Sequence, residues 1–476
     1  MTPSLFDPGL ESITVAETKL SDIDGEAGEL VVRGYPIAEL AANATYEESV
    51  SLLLSGDLPP ADDLEAFRSA LADSRQLHDA VESLLRRAAT ENCDPMDALR
   101  MGLAATTLGV DVEDSAAVAR HVVAVAPTIV ATYWRYHEGK EPIAPDPELG
   151  HAANYRYMLT GERPTETERR ALETFLTTMV DHGLNPSTFT ARVVVSTESD
   201  LVSAATAAAG TLKGRRHGGN LRRVFDLLRT AHEADDAASV VRAKLDTAGW
   251  LPGFGHRVYD VRDPRAAVLA AATERLPVGA GGGFRETVEA VERAGTATLA
   301  ERQRDTHTAP TVEFYAAALL YSVGVPPALF TPTFAVSRVG GWVAHALEQL
   351  ADNTLVRPVS TYVGPAGRSW TPVEERGGQS IDSRRATVEP LSERLSTLSE
   401  PARLEILLAL ADADTPLAYS TLQSSTSIED KGRFNYHLRQ LRGSFVADRG
   451  DGYALLDPGR RFVDAVVDGD LLPDAG

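Results

Sequence analysis

Apolar residues recur at spacings of three and four along most of the chain, in segments such as ESVSLLLSG, LEAFRSALADSRQLHDAVESLLRRAA and ERRALETFLTTMV. That spacing predicts amphipathic helices. The segment TPTETERRALETF adds acids in a first turn, where they complement the positive end of the helix dipole. Near the start the period changes, and SITVAETKLSDIDGEAGELVVRGY reads as two short strands around a turn at Asp24 and Gly25. The pattern therefore predicts a mostly α body that opens on a β-hairpin. Three Gly-rich or Pro-rich stretches interrupt it, at 210–220, 250–265 and 278–286. The first two carry His and Arg beside flexible backbone, as site loops do, and the third reads as a turn.

After the Gly-rich stretch GGQS a new apolar periodicity begins at LSERLSTLSEPARLEILLALADA. A chain of 476 residues exceeds what one ordinary core needs. We expect a body at 1–376, a linker at 377–387 and a second domain at 388–470. The second domain reads as a helix, a short helix LAYSTLQ, a turn TSIEDK, a helix GRFNYHLRQL, an extended pair around Arg449 to Gly452, and a last helix.

Charge narrows the partners. The net charge is −22, from 68 acids against 46 bases, and the lysines among those bases are Lys19, Lys140, Lys213, Lys244 and Lys431. Such a balance disfavours a general nucleic-acid or anionic-membrane binder. An acidic, lysine-poor surface suits high salt, where self-repulsion is screened, so a halophilic source is expected, with an ordinary acidic cytosolic protein as the alternative. Cys93 stands alone and forms no internal disulfide, and MTPSLFDPGL is not a secretory leader, so a cytoplasmic compartment is expected. The apolar run VVAVAPTIVATYW is broken by Pro127 and two threonines, so no membrane span is expected.

The candidate chemistry rests on three residue types. Arginine's planar fork pairs with carboxylates, histidine donates to a carbonyl oxygen as charge gathers there, and a carboxylate can take a proton from carbon. The chain presents these as His182 in VDHGLNPSTFTARVV, His217 in LKGRRHGGN, His256 and Arg265 in PGFGHRVYDVRDPR, Glu313 in TVEFY, Arg338 in FAVSRVGGWVAHALEQ and Arg357 in RPVSTYVGP.

These stretches, together with GLESITVAETKLSDIDGEAGELVVRGYPIAEL and NYRYMLTGERP, resemble the signature segments of the citrate synthase family in that family's order, from about residue 8 to residue 376. The resemblance implies a two-lobed, mostly α fold, with a large lobe at about 1–212 and 325–376 and a small lobe at about 213–324. It implies a homodimer that condenses oxaloacetate, acetyl-CoA and water to citrate and coenzyme A, with a coenzyme A thioester as substrate, no bound cofactor and no metal. His182, Arg265, Arg338 and Arg357 would hold the keto acid, Arg357 from across the dimer interface. His256 would polarise the keto carbonyl, His217 would bond the thioester carbonyl, and Glu313 would be the base. Backbone at Leu251, Pro252, Gly253 and Gly255 would lie along coenzyme A.

Two departures fall on the acyl-CoA side. Glu313 stands where the family has aspartate, which lengthens the arm of the base by roughly 1.5 Å. The stretch HGGNLRRV replaces the family's common HGGANEAV, so that Asn220, Leu221, Arg222 and Arg223 alter that side of the cleft. A 2-methylcitrate synthase using propionyl-CoA is therefore one alternative. The other is a weakly active or inactive metabolite-sensing regulator that binds DNA through its second domain.

That second domain resembles the small α+β winged helix-turn-helix domains of arsenic-repressor-type regulators. The resemblance would turn Arg433, Asn435, Tyr436, His437 and Arg439 toward DNA. Residues 377–476 carry 16 acids and 11 bases, a net of −5, which opposes counterion-release binding, so a protein partner is the alternative to DNA.

Overall fold

The computed structural model describes residues 7–234, 236–255, 259, 261–277, 283–302, 308–373, 397–413, 415–450 and 452–467. His256 and the linker at 377–387 lie outside the described residues. The chain divides into two units, Met1–Val359 and Ser360–Gly476, each with its own apolar core.

The first unit opens on an antiparallel sheet of β1 (Ser21–Asp24), β2 (Glu29–Val32) and β3 (Tyr35–Pro36), with Asp24 opposite Glu29 and Val31 opposite Pro36. The hairpin turn is closed by Asp24, whose Oδ1 accepts the Ala27 N–H (2.8 Å). Helices follow: α1 (Ile37–Asn43), α2 (Tyr46–Ser55), α3 (Ala61–Asp73), α4 (Asp79–Thr90), α5 (Pro95–Ala105), α6 (Ser115–His137), α7 (His151–Thr160) and α8 (Glu166–Met179). After them come α9 (Pro186–Ser196), α10 (Leu201–Leu212), α11 (Asn220–Ala234), α12 (Ala237–Ala248), α13 (Pro264–Glu274), α14 (Phe284–Arg302), α15 (Val312–Ser322) and α16 (Phe330–Ala351).

Local chemistry sets many of these boundaries. Thr45 with Glu48, and Thr165 with Glu168, form capping boxes that satisfy the first free N–H groups of α2 and α8. Asn185 and Asp263 cap α9 and α13, each followed by a proline whose missing N–H costs a helix start nothing.

Helix α6 carries the apolar run that Pro127 and two threonines interrupt. It runs unbroken through Pro127, and among the described residues it alone is long and apolar enough to cross a membrane. Most of it is buried against the other helices of this unit, as the central helix of a large core would be.

Helix α16 is buried along nearly its whole length. Its Gly340 and Gly341 allow a close approach, because a Cβ at 341 would lie 2.5 Å from the Val180 carbonyl and 2.8 Å from Asp181 Oδ1. Helices α11 to α15 pack largely on one another, and α13 also lies against α1 and α8.

The second unit contains α17 (Pro401–Ala411), α18 (Tyr419–Ser424), α19 (Lys431–Leu441), β4 (Val446–Asp448), β5 (Tyr453–Leu455) and α20 (Asp457–Val467). β4 and β5 pair antiparallel, and Leu417 adds a third extended position by exchanging backbone hydrogen bonds with Tyr453 (2.9 and 2.8 Å). Ile406, Leu407, Leu422, Phe434, Leu441 and Val446 centre the core. On α19 Arg433, Asn435, Tyr436 and Arg439 are exposed, but His437 is not. It shares the inward stripe with Phe434, Leu438 and Leu441 and is 6% exposed, so it cannot reach a surface ligand as the sequence reading had it.

Candidate active site

Five of the predicted residues come from separate elements and meet in one electrostatic cluster. His182 sits in the turn between α8 and α9, and its Nε2 lies 3.1 Å from the hydroxyl of buried Tyr259. Burial pushes that hydroxyl up to about 12, so Tyr259 keeps its proton at neutral pH.

Arg265, in the first turn of α13, is buried and held by Asp263, which accepts from its Nε (3.1 Å) and Nη2 (2.7 Å). Burial alone would oppose the guanidinium charge, but Asp263 outweighs it and holds the pKa above the ordinary value. Arg338, midway along α16, donates from Nε to the Met179 carbonyl (2.7 Å) and stacks over Phe334. Full burial pushes it down to about 10, with Arg265 acting in the same sense and Asp181 and Glu313 resisting.

His217 occupies the turn between α10 and α11. Its Nε2 lies 2.8 Å from Ser187 Oγ, and the Ser187 backbone N–H points at the same nitrogen from 3.4 Å. Trp342 Nε1 donates to Ser187 Oγ (3.1 Å), and the hydroxyl itself donates to Asn185 Oδ1 (2.8 Å), which also accepts the Ser187 N–H (3.2 Å). The tautomer follows the serine: with the hydroxyl on Asn185 the imidazole donates from Nε2, and with the hydroxyl turned to the ring Nε2 accepts and the proton sits on Nδ1. Burial, helped by Arg338, lowers the pKa to about 4, which leaves His217 neutral at physiological pH.

Glu313 is half-buried in the first turn of α15 and lies close enough to both Arg265 and Arg338 to act on their charges. The segment leading to it is tied to the loop at 251–255. Thr311 N donates to the Gly253 carbonyl (2.8 Å), and Gly255 N reaches the Ala309 carbonyl (3.5 Å). Leu251, Pro252 and Gly253 are buried, and Gly255 is exposed. Gly253 has φ +82°, and a Cβ there would meet Phe314 and Val224 at 3.1 Å, so this loop position requires glycine.

The remaining predicted residues fall elsewhere. Arg357 is exposed on the extended segment after α16, and no hydrogen bond or ion pair ties it to the cluster among the described residues. Arg222 pairs with Asp226 (3.5 Å) on the solvated face of α11, and Arg223 lies 5.6 Å over the ring of half-exposed Trp250. Sequence reasoning overlooked Tyr259, Ser187 and Asp263. A signal existed for Asp263, since an Asp-Pro-Arg run at a helix start places cap and arginine together.

Two buried arginines, a neutral imidazole and one carboxylate can bind a dianion, stabilise an enolate oxygen and remove a proton from carbon. Residues 9–359 match the family described as citrate synthase, C-terminal domain. The chain belongs to the citrate synthase family. The citrate synthase of Haloferax volcanii is 43% identical over 380 residues, covering 77% of this chain and 98% of the relative. A 2-methylcitrate synthase of Mycobacterium tuberculosis is 37% identical over 360 residues, covering 75% of this chain and 90% of the relative. The structure of the ternary complex of Thermoplasma acidophilum citrate synthase with carboxymethyl coenzyme A and oxaloacetate superposes with a TM-score of 0.70 at 29% identity, covering 77% of this chain and 98% of that one. The chain is thus a citrate synthase-type enzyme, whose family takes a coenzyme A thioester as substrate and needs no metal or bound cofactor. Residues 391–466 match a family described as a domain of unknown function, a description that carries no winged-helix or regulator identity.

Proposed function

We propose that the enzyme condenses oxaloacetate with acetyl-CoA and water, giving citrate and free coenzyme A. His182, Arg265 and Arg338 would hold the keto acid, joined by Arg357 of a second protomer in a homodimer whose small lobe, at about 213–324, closes over the site. Glu313 would take a proton from the thioester methyl while the His217 Nδ1–H donates to the carbonyl oxygen that gains charge. The new carbon–carbon bond forms as the enolate attacks the keto carbon, which His256 would polarise by resemblance to the family. Hydrolysis of the thioester then releases coenzyme A.

The observation that carries this reading is a neutral His217 in one cluster with Arg265, Arg338 and Glu313, and its Nδ1–H is open to donate when the Ser187 hydroxyl and N–H both face Nε2. A charged imidazole would protonate the enolate early, whereas a neutral donor stabilises it and lets it attack. The test is coenzyme A release in molar salt with oxaloacetate and either acetyl-CoA or propionyl-CoA. Higher kcat/KM with acetyl-CoA supports citrate synthesis. A propionyl preference would move the assignment to 2-methylcitrate synthesis, and oxaloacetate binding without turnover with either thioester would leave a metabolite-sensing regulator.

For the second unit, the order helix, Leu417, helix, helix, β4, β5 supports a winged-helix reading, with Arg433, Asn435, Tyr436 and Arg439 on the open face of α19. Fluorescence anisotropy with labelled duplex DNA tests a DNA-binding role. A signal that survives Arg433→Ala and Arg439→Ala counts against it.

A further inference from the structure

Behind the keto-acid end of the site lies a buried polar chain that the reaction described above does not use. Asp181 and His345 are fully buried, and Arg192 is 3% exposed. Arg192 donates to His345 Nδ1 from both Nε (3.0 Å) and Nη2 (2.8 Å), and from Nη1 to Gln349 Oε1 (3.2 Å). It also pairs with Glu348, whose Oε1 accepts the Lys19 N–H (2.7 Å). With two N–H groups aimed at Nδ1, the imidazole must carry its proton on Nε2. That Nε2 points at the Asp181 carboxylate from 3.2 Å.

The other donor to Asp181 is Ser21 of β1, whose Oγ lies 2.5 Å from Oδ2 and itself accepts the Gly183 N–H (3.0 Å). One serine hydroxyl therefore grips the residues on both sides of His182. On α16, Arg338, Trp342 and His345 follow one another at four and three positions on a single face, so the helix that carries the substrate arginine also carries the group that orients Asp181. Burial works against the Asp181 charge, but His345, Arg338 and Ser21 outweigh it and hold the carboxyl below its ordinary value.

We propose that Asp181, oriented by His345 and Ser21, is a positioning residue that supplies the buried counter-charge for Arg338 and fixes His182, so that keto-acid affinity depends on it. The inference rests on the keto-acid assignment above. Arg338 is fully buried beside the like charge of Arg265, and a dianion can be gripped only while both stay charged and in place. Asp181 supplies the negative charge before the substrate arrives, from a side on which it cannot block the cleft.

The test is isothermal titration of oxaloacetate, with acetyl-CoA kinetics in parallel, on the full chain. Asp181→Asn keeps the shape and removes the charge, and should raise the oxaloacetate Kd on the order of 10- to 100-fold while changing the acetyl-CoA KM by no more than about 2-fold. His345→Gln can still accept from Arg192 and donate to Asp181, and should stay near wild type, whereas His345→Phe should follow Asp181→Asn. An unchanged oxaloacetate Kd in Asp181→Asn overturns the proposal, as do equal losses for both substrates or identical behaviour of the two His345 variants. Wild-type protein that binds oxaloacetate without releasing coenzyme A would sink the synthase reading and leave the Asp181 comparison standing. Wild-type protein that binds no dicarboxylate overturns both.

Discussion

Replacing Ser187 by alanine tests the chemistry assigned to His217. The hydroxyl lies 2.8 Å from His217 Nε2 and accepts from Trp342 Nε1 at 3.1 Å; Trp342 is buried and His217 half-buried. The proposed reaction needs that hydroxyl to turn from Asn185 Oδ1 (2.8 Å) to Nε2, a neutral hydrogen bond of about 1 kcal/mol net to the Nδ1–H tautomer, so losing it should lower kcat about 5- to 10-fold. The loss is bounded because the Ser187 N–H still faces Nε2 from 3.4 Å. Trp342, 1% exposed, is left with an unpaired N–H, which should cost about 1–3 kcal/mol of stability. Ser187 makes no hydrogen bond to Arg265, Arg338 or His182, so the oxaloacetate KM should move little. Initial rates of thiol release at saturating substrates, beside a urea titration, measure the two effects separately. An unchanged kcat in a destabilised variant would refute the tautomer argument, and a raised oxaloacetate KM with normal kcat would place Ser187 on the wrong half of the site.

Three further outcomes are expected. Glu313→Asp shortens the arm of the base by roughly 1.5 Å and should change kcat by 10-fold or more at constant oxaloacetate Kd, a gain meaning that the native arm overreaches and a loss that the loop is built for glutamate. Gly341→Ala places a methyl 2.5 Å from the Val180 carbonyl and should cost about 2–3 kcal/mol in a denaturant titration, with oxaloacetate affinity falling because Asp181 is displaced. His151 is fully buried with neither ring nitrogen partnered, and burial, with Arg75, pushes it down to about 3. Burial and Glu47 push neighbouring Glu173 up to about 7 against Arg169 and Arg170. As pH falls from 6.5 toward 3, unfolded His151 takes up a proton that the folded state refuses, so stability drops by up to about 1.4 kcal/mol per unit. Glu173 acts oppositely, favouring the fold below 4.5 and losing that contribution as pH rises toward 7. Between 4.5 and 6.5 the two slopes cancel. A His151→Phe variant should therefore gain stability relative to wild type as pH falls through that window, which urea midpoints at three pH values would show.

Much of the fold was legible because helix periodicity is local and the body is built from helices. The residues proposed to bind and react were legible because they sit inside long matching segments. Tyr259 and Ser187 were not, since each acts through a partner 77 or 30 positions away and neither type signals chemistry by itself. His437 misled because a polar residue on a short helix reads as exposed until the neighbouring stripe of Phe434, Leu438 and Leu441 is seen in place. Pro127 interrupts the apolar run as letters, yet the helix passes through it inside the packed core. The halves of the site also differ in what their letters reveal. Charged groups assigned to the keto acid announce themselves, whereas the stretch assigned to coenzyme A is largely backbone and shape.

The Ser21 clamp has a consequence for the nascent chain. Ser21 reaches Asp181 across 160 residues, and Asp181 reaches His345 across a further 164, so the binding end of the site is stitched together from the first and last parts of the body. During synthesis the Ser21–Asp181–His345 chain cannot close until α16 has left the ribosome, so no shorter nascent intermediate carries it. A keto acid bound as proposed could act as a folding ligand only for the finished body, so in a refolding or translation assay its capture would report completed synthesis.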